Sequence, residues 1–212
     1  MTDEAMMKKT IELGRDVFKD HIAEYKHIGE NFDVLDFRKP GTICYSFRMV
    51  FDREHGNAAY ISGDIGEGVI YPTCDCTLEG FAKCFTRRLE DGSLDVNEQY
   101  FMEKIRACNG KYEYDYDDFK EDLKALFKRL DAEEKWESFE DDYLYFGNTY
   151  VTCYDDHVHI DDYVRDALEK QIHAEVEDYW YCGRRTSARI ILWLVAIRLA
   201  WEQLELKKES AS

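Results

Sequence analysis

Proline is scarce in this chain, two in 212 residues, Pro40 and Pro72, both in the first third. No Ser/Gly-rich stretch occurs either, so no flexible linker is visible and residues 1–212 read as one continuous body. The seven cysteines, at 44, 74, 76, 84, 108, 153 and 182, include no C-x-x-C pair. An odd, scattered set of this kind does not make a disulfide framework and predicts reduced thiols. Long apolar runs are missing. The most apolar stretch, Ile190 to Trp201 (IILWLVAIRLAW), is interrupted by Arg198 and falls short of the ~20 residues needed to span a bilayer, so it reads as a core or interface helix and no membrane contact is expected. The start, MTDEAMMKKTIELGRDVF, lacks the basic and apolar regions and small-residue cleavage site of a secretion signal, which predicts a cytosolic protein. Positive charge is short as well: 28 Lys and Arg stand against 45 Asp and Glu. That balance argues against direct binding of nucleic acid, whose affinity rests on cations neutralising phosphates.

What is present is ample apolar material, 45% hydrophobic and 15% aromatic, enough to fold despite a net charge of −17. The charge is regional. From Asp131 to Tyr179 sixteen acidic residues face three basic ones (Lys135, Arg165, Lys170), a net −13, while the other 163 residues total −4. Solubility alone is served by dispersed charge; a concentrated field points to recognition of something cationic.

The pattern predicts an α+β protein, a small antiparallel sheet over about 43–75 covered by several helices, with a helical, acidic C-terminal part over about 77–207. Apolar residues near helical spacing predict a first helix from Asp3 to His27. Alternation at Ile43, Tyr45, Phe47, Met49 and Phe51 predicts a strand, Glu54 to Asn57 a turn, and residues 58–62 its antiparallel partner. Residues 69–75 predict a third strand, with Pro72 marking an edge, the β-rich part as a whole covering about 32–75. Thr77, Asp95 or Asn97, and Asp115 or Asp117 are expected helix caps. A short strand near 149–160, a helix from Asp161 to Glu177 and a buried helix from Ser187 to Leu206 complete the reading.

The densest chemistry is CYDDHVHIDDY, Cys153 to Tyr163. On one strand Cys153, Asp155, His157, His159 and Asp161 share a face, so the two imidazoles with a neighbouring carboxylate or thiolate are candidate metal ligands. The competing reading is a half-buried strand with its polar side in water, and that reading is preferred; no metal and no cofactor are assigned. Cys153 with His157 or His159 as nucleophile and base is the weaker drawing, since such pairs usually come from distant segments. No H-E-x-x-H motif appears, and the glycine loop GDIGEG (63–68) has neither Walker nor Rossmann spacing, while Asp64 and Glu67 would repel phosphate. Cys74, Cys76 and Cys84 form an incomplete zinc pattern, better read as partly buried thiols. The basic cluster Arg184, Arg185 and Arg189 is expected to pair with the protein's own acidic segment.

The acidic segment is therefore the candidate site, non-catalytic, with Asp155, Asp156, Asp161, Asp162, Asp166, Glu169, Tyr154 and Tyr163 as its partner-binding residues. Tyrosines interleave with the acids, as at protein interfaces. Asp162, Asp166 and Glu169, continued by Glu175 and Asp178, approximate a helical row whose ~5–6 Å spacing is comparable to the few-ångström charge spacing of a nucleic-acid backbone.

The runs FRKPGTICYSFRMVFDREHGNAAYISGDIG, FAKCF, YFMEKIRAC and GRRTSARIILWLVAIRLAWEQL resemble a group of uncharacterised proteins of phages and prophages of gut Firmicutes. The resemblance implies a mobile-element setting, in which small acidic proteins inhibit host defence, CRISPR nucleases included. The expected function is thus a phage-encoded inhibitor that fills the basic groove of a nucleic-acid-binding protein as a DNA mimic. Two alternatives stay open: a metal-dependent hydrolase using His157, His159 and nearby aspartates, and a regulatory or scaffold protein that dimerises through the C-terminal helix.

Overall fold

The computed structural model describes residues 3–54, 56–144, 151–154 and 157–211. The chain groups into two compact units, 1–111 with 187–212, and 112–186. In chain order, unit 1 contains α1 (Asp3–Val17), β1 (Ile22–Ile28), β2 (Phe32–Arg38), β3 (Phe47–Asp52), β4 (Ala58–Gly63), β5 (Gly68–Ile70), α2 (Leu78–Phe85), β6 (Thr86–Arg88), β7 (Leu94–Val96), α3 (Glu98–Lys104) and β8 (Ile105–Cys108). Unit 2 follows with β9 (Tyr112–Tyr114), α4 (Tyr116–Arg129), α5 (Trp136–Phe139), β10 (Val151–Tyr154), β11 (His157–Ile160), α6 (Asp162–Ile172), α7 (Val176–Tyr179) and β12 (Arg184–Thr186). The last helix, α8 (Ala188–Ala211), belongs to unit 1. The α+β class and the helical C-terminal part are as the sequence predicts.

The main sheet is larger than expected, six antiparallel strands in the order β1-β2-β3-β4-β5-β8. Residues 22–28, predicted as the end of the first helix, are strand β1; α1 stops at Val17 because inward positions then recur every second residue, His21 and Ala23 being buried between exposed neighbours. β2 follows the same rule with Asp33, Leu35 and Phe37 inside. Pro72 does not mark an edge. β5 lies between β4 and β8 and ends at Ile70, and Tyr71 donates its N–H to the carbonyl of Lys104, so Pro72 stands beyond the ladder.

One sheet face carries the core. Phe51 meets Phe81 of α2 edge-on at 5.6 Å, and Phe37 meets Phe18 at 5.6 Å. α8 is buried around nearly its whole girth from Ile190 to Ile197. The apolar surface that suggested a second copy is therefore covered within this chain, leaving Leu206 as the exposed large apolar side chain of the helix. Trp193 anchors it: fully buried, its indole N–H donates to the carbonyl of Ile65 at 3.0 Å. Gly68 is required beside it, since a Cβ there would stand 2.8 Å from the indole ring. The glycine loop thus wraps a core tryptophan, a packing role in place of a phosphate one.

The β1–β2 hairpin closes on a polar knot. Asp33, 2% exposed, accepts hydrogen bonds from the Tyr25 hydroxyl at 2.8 Å, from His27 Nδ1 at 2.5 Å and from the Arg53 guanidinium. Burial pushes this carboxyl up, but the bonds from Arg53, Tyr25 and His27 outweigh it and hold the group below its ordinary value of 3.8. A depressed carboxyl stabilises the fold above its unfolded value and loses that contribution as pH falls through its folded value. Stability measured by urea unfolding should be flat in this respect above about pH 5 and decline below about pH 4, and Asp33→Asn should remove part of the decline while lowering stability at neutral pH. An identical acid limb in Asp33→Asn would contradict this.

Candidate functional site

The two units divide the charge unequally. Unit 2 holds 22 Asp and Glu against 9 Lys and Arg, a net −13; unit 1 holds 23 against 19, a net −4. The acidic field expected from residues 131–179 is thus the property of one compact body of 75 residues.

That body has its own core. Phe119, Leu123, Leu126 and Phe127 on one face of α4 pack with Trp136, Phe139, Val164, Leu168 and Ile172. Asp115 caps α4 by accepting from the N–H of Asp118 at 3.0 Å, and β9 pairs with β12 through Tyr112–Thr186, Glu113–Arg185 and Tyr114–Arg184. With α5 flanked by a 3₁₀ turn (Glu133–Lys135) and a π turn (Glu140–Leu144), residues 133–144 form a nearly continuous helical rod.

This rod runs antiparallel to α6. Lys135 Nζ donates to the carbonyl of Gln171 near the end of α6 at 2.7 Å, while the Tyr143 ring meets Tyr163 at the start of α6 at 4.9 Å. Eight residues separate the contacts on each element, so rod and helix lie side by side over that length. Their apolar positions are turned inward. The exposed positions are mostly acidic: Glu133, Glu134, Glu137, Asp141 and Asp142 on the rod, Asp162, Asp166 and Glu169 on α6. On α6 these three recur at i, i+4 and i+7, opposite buried Val164, Ala167, Leu168 and Ile172. The rod acids lie within the acidic segment 131–179 but outside the residues that the sequence alone marks as the site. Their density over 131–142 was the available signal, and what sequence lacks is the pairing that lays them beside α6.

Of the eight expected site residues, Asp161, Asp162, Tyr163, Asp166 and Glu169 gather at α6. Asp161 is its N-cap, accepting from the N–H of Tyr163 at 2.9 Å. Asp162 is bridged by Arg165 at 2.7 Å and Asp166 by Lys170 at 3.6 Å, exposed pairs that moderate the field and are worth about 0–1 kcal/mol each. Tyr163 is 55% exposed. Asp155 and Asp156 lie outside the described residues, as does the side chain of Tyr154. As a cap, Asp161→Ala should cost about 0.5–2 kcal/mol in urea unfolding of unit 2, and Asp161→Asn much less; equal costs would show that capping is not its role.

Three expectations are corrected. The row Asp162, Asp166, Glu169 does not continue through Glu175 and Asp178, because α6 ends at Ile172 with His173 left-handed (φ 56°). Glu175 instead starts α7 and donates its N–H to Asp178, which also binds Arg129 at 2.7 Å. The single strand predicted through Cys153 to Asp161 is a hairpin: Cys153 pairs with Val158, Tyr154 with His157 and Thr152 with His159. The alternation that grouped Cys153 with His157 and His159 therefore does not carry from β10 to β11, while His157 and His159 keep their i, i+2 places on β11. Among the described residues no group of three or more His, Cys, Asp or Glu is placed to hold a metal ion; the side chains of His157 and His159 lie outside them. Finally, Arg185 and Arg189 of the basic trio have partners outside the 131–179 segment. Arg185 binds Asp115 at 2.5 Å and Asp118 at 3.0 Å, Arg184 stacks between Tyr112 and Tyr181 at 4.0 Å from each ring, and Arg189 donates to the carbonyl of Asn109 at 2.5 Å.

Unit 2 thus presents an acidic, tyrosine-bearing surface with few cations of its own, and no helix among the described residues is long and apolar enough to cross a membrane. Set against known proteins, the chain matches no family model, no curated protein and no solved structure.

Proposed function

We propose that this protein acts by binding rather than by catalysis: the acidic surface of unit 2 occupies the basic groove of a nucleic-acid-binding protein and excludes its ligand. A defence nuclease of the CRISPR type is the partner class, and a phage-encoded inhibitor acting in a bacterial cytosol is the setting. The observation that carries the reading is the side-by-side placement of the 133–144 rod and α6, each turning its acids to solvent. Lys- and Arg-lined grooves that hold phosphates offer the complementary potential. Tyr163, between the two acidic elements, adds apolar contact area with a polar tip, the kind of side chain that anchors protein interfaces.

The test is displacement of fluorescent duplex DNA from a purified CRISPR nuclease loaded with its guide. The full chain should displace the duplex at low salt. Retention of the duplex at saturating protein over a panel of such nucleases would contradict the proposed partner class.

A further inference from the structure

The face of the main sheet turned away from the core is apolar along one line. Leu35, Met49 and Ile61 point inward and are buried, so their neighbours Val34, Val50 and Tyr60 point outward. The pairing register sets these side by side: Lys26 opposite Val34, Val34 opposite Val50, Val50 opposite Tyr60, Tyr60 opposite Val69 and Val69 opposite Ala107, one row across all six strands. Tyr60 is 40% exposed, Ala107 is exposed, and Val34, Val50 and Val69 are half-buried. The adjoining row carries both signs of charge. Glu24 stands opposite Asp36 and Asp36 opposite Arg48, and Asp36 holds Arg48 at 2.5 Å and Arg38 at 3.6 Å. With Lys26, three basic and two acidic groups flank the apolar row, a net +1 where unit 2 carries −13. A cationic groove would meet Lys26, Arg38 and Arg48, and a polyanion would meet Glu24 and Asp36, so neither fits this face. A second copy fits, because it brings both signs itself. The sheet edge at β1 is already taken by α8: the Ala23 N–H donates to Gln203 Oε1 at 3.1 Å, and the Ala23 carbonyl accepts from Lys207 Nζ at 3.2 Å. A further strand cannot add there, which leaves the face.

We propose that the outer sheet face of unit 1 binds a second copy of this chain, sheet on sheet, about a twofold axis that runs parallel to the strands between β2 and β3. Rotation about that axis keeps each row on itself and exchanges β2 with β3 and β1 with β4. Val34 of each copy then lies over Val50 of the other, Lys26 over the Tyr60 ring, and Asp36 over Arg48. Every contact occurs twice, as an isologous interface requires. Sheets stacked in this way pack about 10 Å apart with their strands within about 30° of parallel, which the sheet twist supplies. All of these residues belong to unit 1, so the pairing is independent of what the acidic surface of unit 2 binds.

The experiment is size-exclusion chromatography with light scattering on the full chain over a micromolar concentration series. The native chain should reach twice its 25.1 kDa mass. Tyr60→Glu and Val50→Arg should each return it to the single mass, with circular dichroism unchanged. Asp36→Arg and Arg48→Asp chains should each be single when alone, because like charges then face one another across the axis. Mixed, the two should pair, because opposite charges are restored at both contacts. A native chain that stays at the single mass throughout would overturn the proposal, as would a pair that survives Tyr60→Glu, or folded Asp36→Arg and Arg48→Asp chains that stay single in the mixture. A single native chain whose binding to a guide-loaded nuclease is weakened by Tyr60→Glu would assign the face to that partner and overturn it too.

Discussion

Trp193→Ala is expected to lower the unfolding free energy of unit 1 by about 3–5 kcal/mol. The side chain is fully buried, its indole N–H satisfies the carbonyl of Ile65, and Gly68 exists in β5 to make room for the ring. Truncation removes the fully buried tryptophan of α8 and leaves a cavity that a helix buried on nearly every side cannot collapse into. Trp193→Phe separates the contributions: it keeps most of the volume but orphans the Ile65 carbonyl, at a cost of about 1–3 kcal/mol. Urea unfolding followed by circular dichroism measures both. A loss under about 1 kcal/mol for Trp193→Ala would mean that α8 is not the central element of its unit. Against a total stability of about 5–15 kcal/mol for a domain, the expected loss is a large fraction of what holds the unit folded.

Reversal of Glu134, Asp141, Asp142 and Glu169 to lysine should weaken binding to the target nuclease by at least about a hundredfold, ~2.8 kcal/mol at 1.4 per decade. All four are exposed and stand outside the salt bridges of the rod and α6, so the fold should survive. The change takes unit 2 from −13 to −5, four acidic groups each shifting by two charges. Glu12, Glu30, Glu67 and Glu90, also exposed but in unit 1, provide the control, because reversing them changes the net charge of the chain by the same amount. A localised surface predicts a large loss for the first set and a small one for the second; like charges brought face to face in an interface cost several kcal/mol, whereas distant ones are screened. Equal losses from the two sets would reduce the acidic surface to a matter of overall charge.

Local rules carried the sequence reading where the signal was local. Thr77, Asn97 and Asp115 each accept the capping hydrogen bond expected of them. The alternation over Phe47, Met49 and Phe51 is strand β3, and the apolar run after Ser187 is a buried helix. Hairpin β1–β2 was hidden because its inward positions include Asp33, a polar residue that breaks an apolar alternation and is held inside by hydrogen bonds from Arg53, Tyr25 and His27. The end of α6 was hidden because His173, neither Gly nor Pro, takes the left-handed conformation that stops the helix. The division into two units was hidden for a related reason. No Pro- or Gly-rich linker marks residues 111–112 or 186–187; unit 2 is closed by pairing of β9 with β12, two three-residue strands too short to register in any periodicity.

At the candidate site the sequence located the charge and not its arrangement. Adding up carboxylates identifies residues 131–179, but the antiparallel contact of the rod with α6 depends on Lys135 reaching Gln171 and Tyr143 reaching Tyr163, pairs 36 and 20 positions apart. Likewise CYDDHVHIDDY reads as one strand, whereas β10 and β11 pair antiparallel within it, and that pairing changes which residues are partners.

The most direct test of polyanion mimicry is the association rate constant of the full chain with a guide-loaded CRISPR nuclease, measured from about 50 to about 300 mM salt, over which the screening length falls from about 14 to about 6 Å. Steering by the unit 2 field predicts a rate that drops at least about tenfold across the series, with the dissociation rate nearly constant. A rate constant that stays level from dilute to concentrated salt would contradict it.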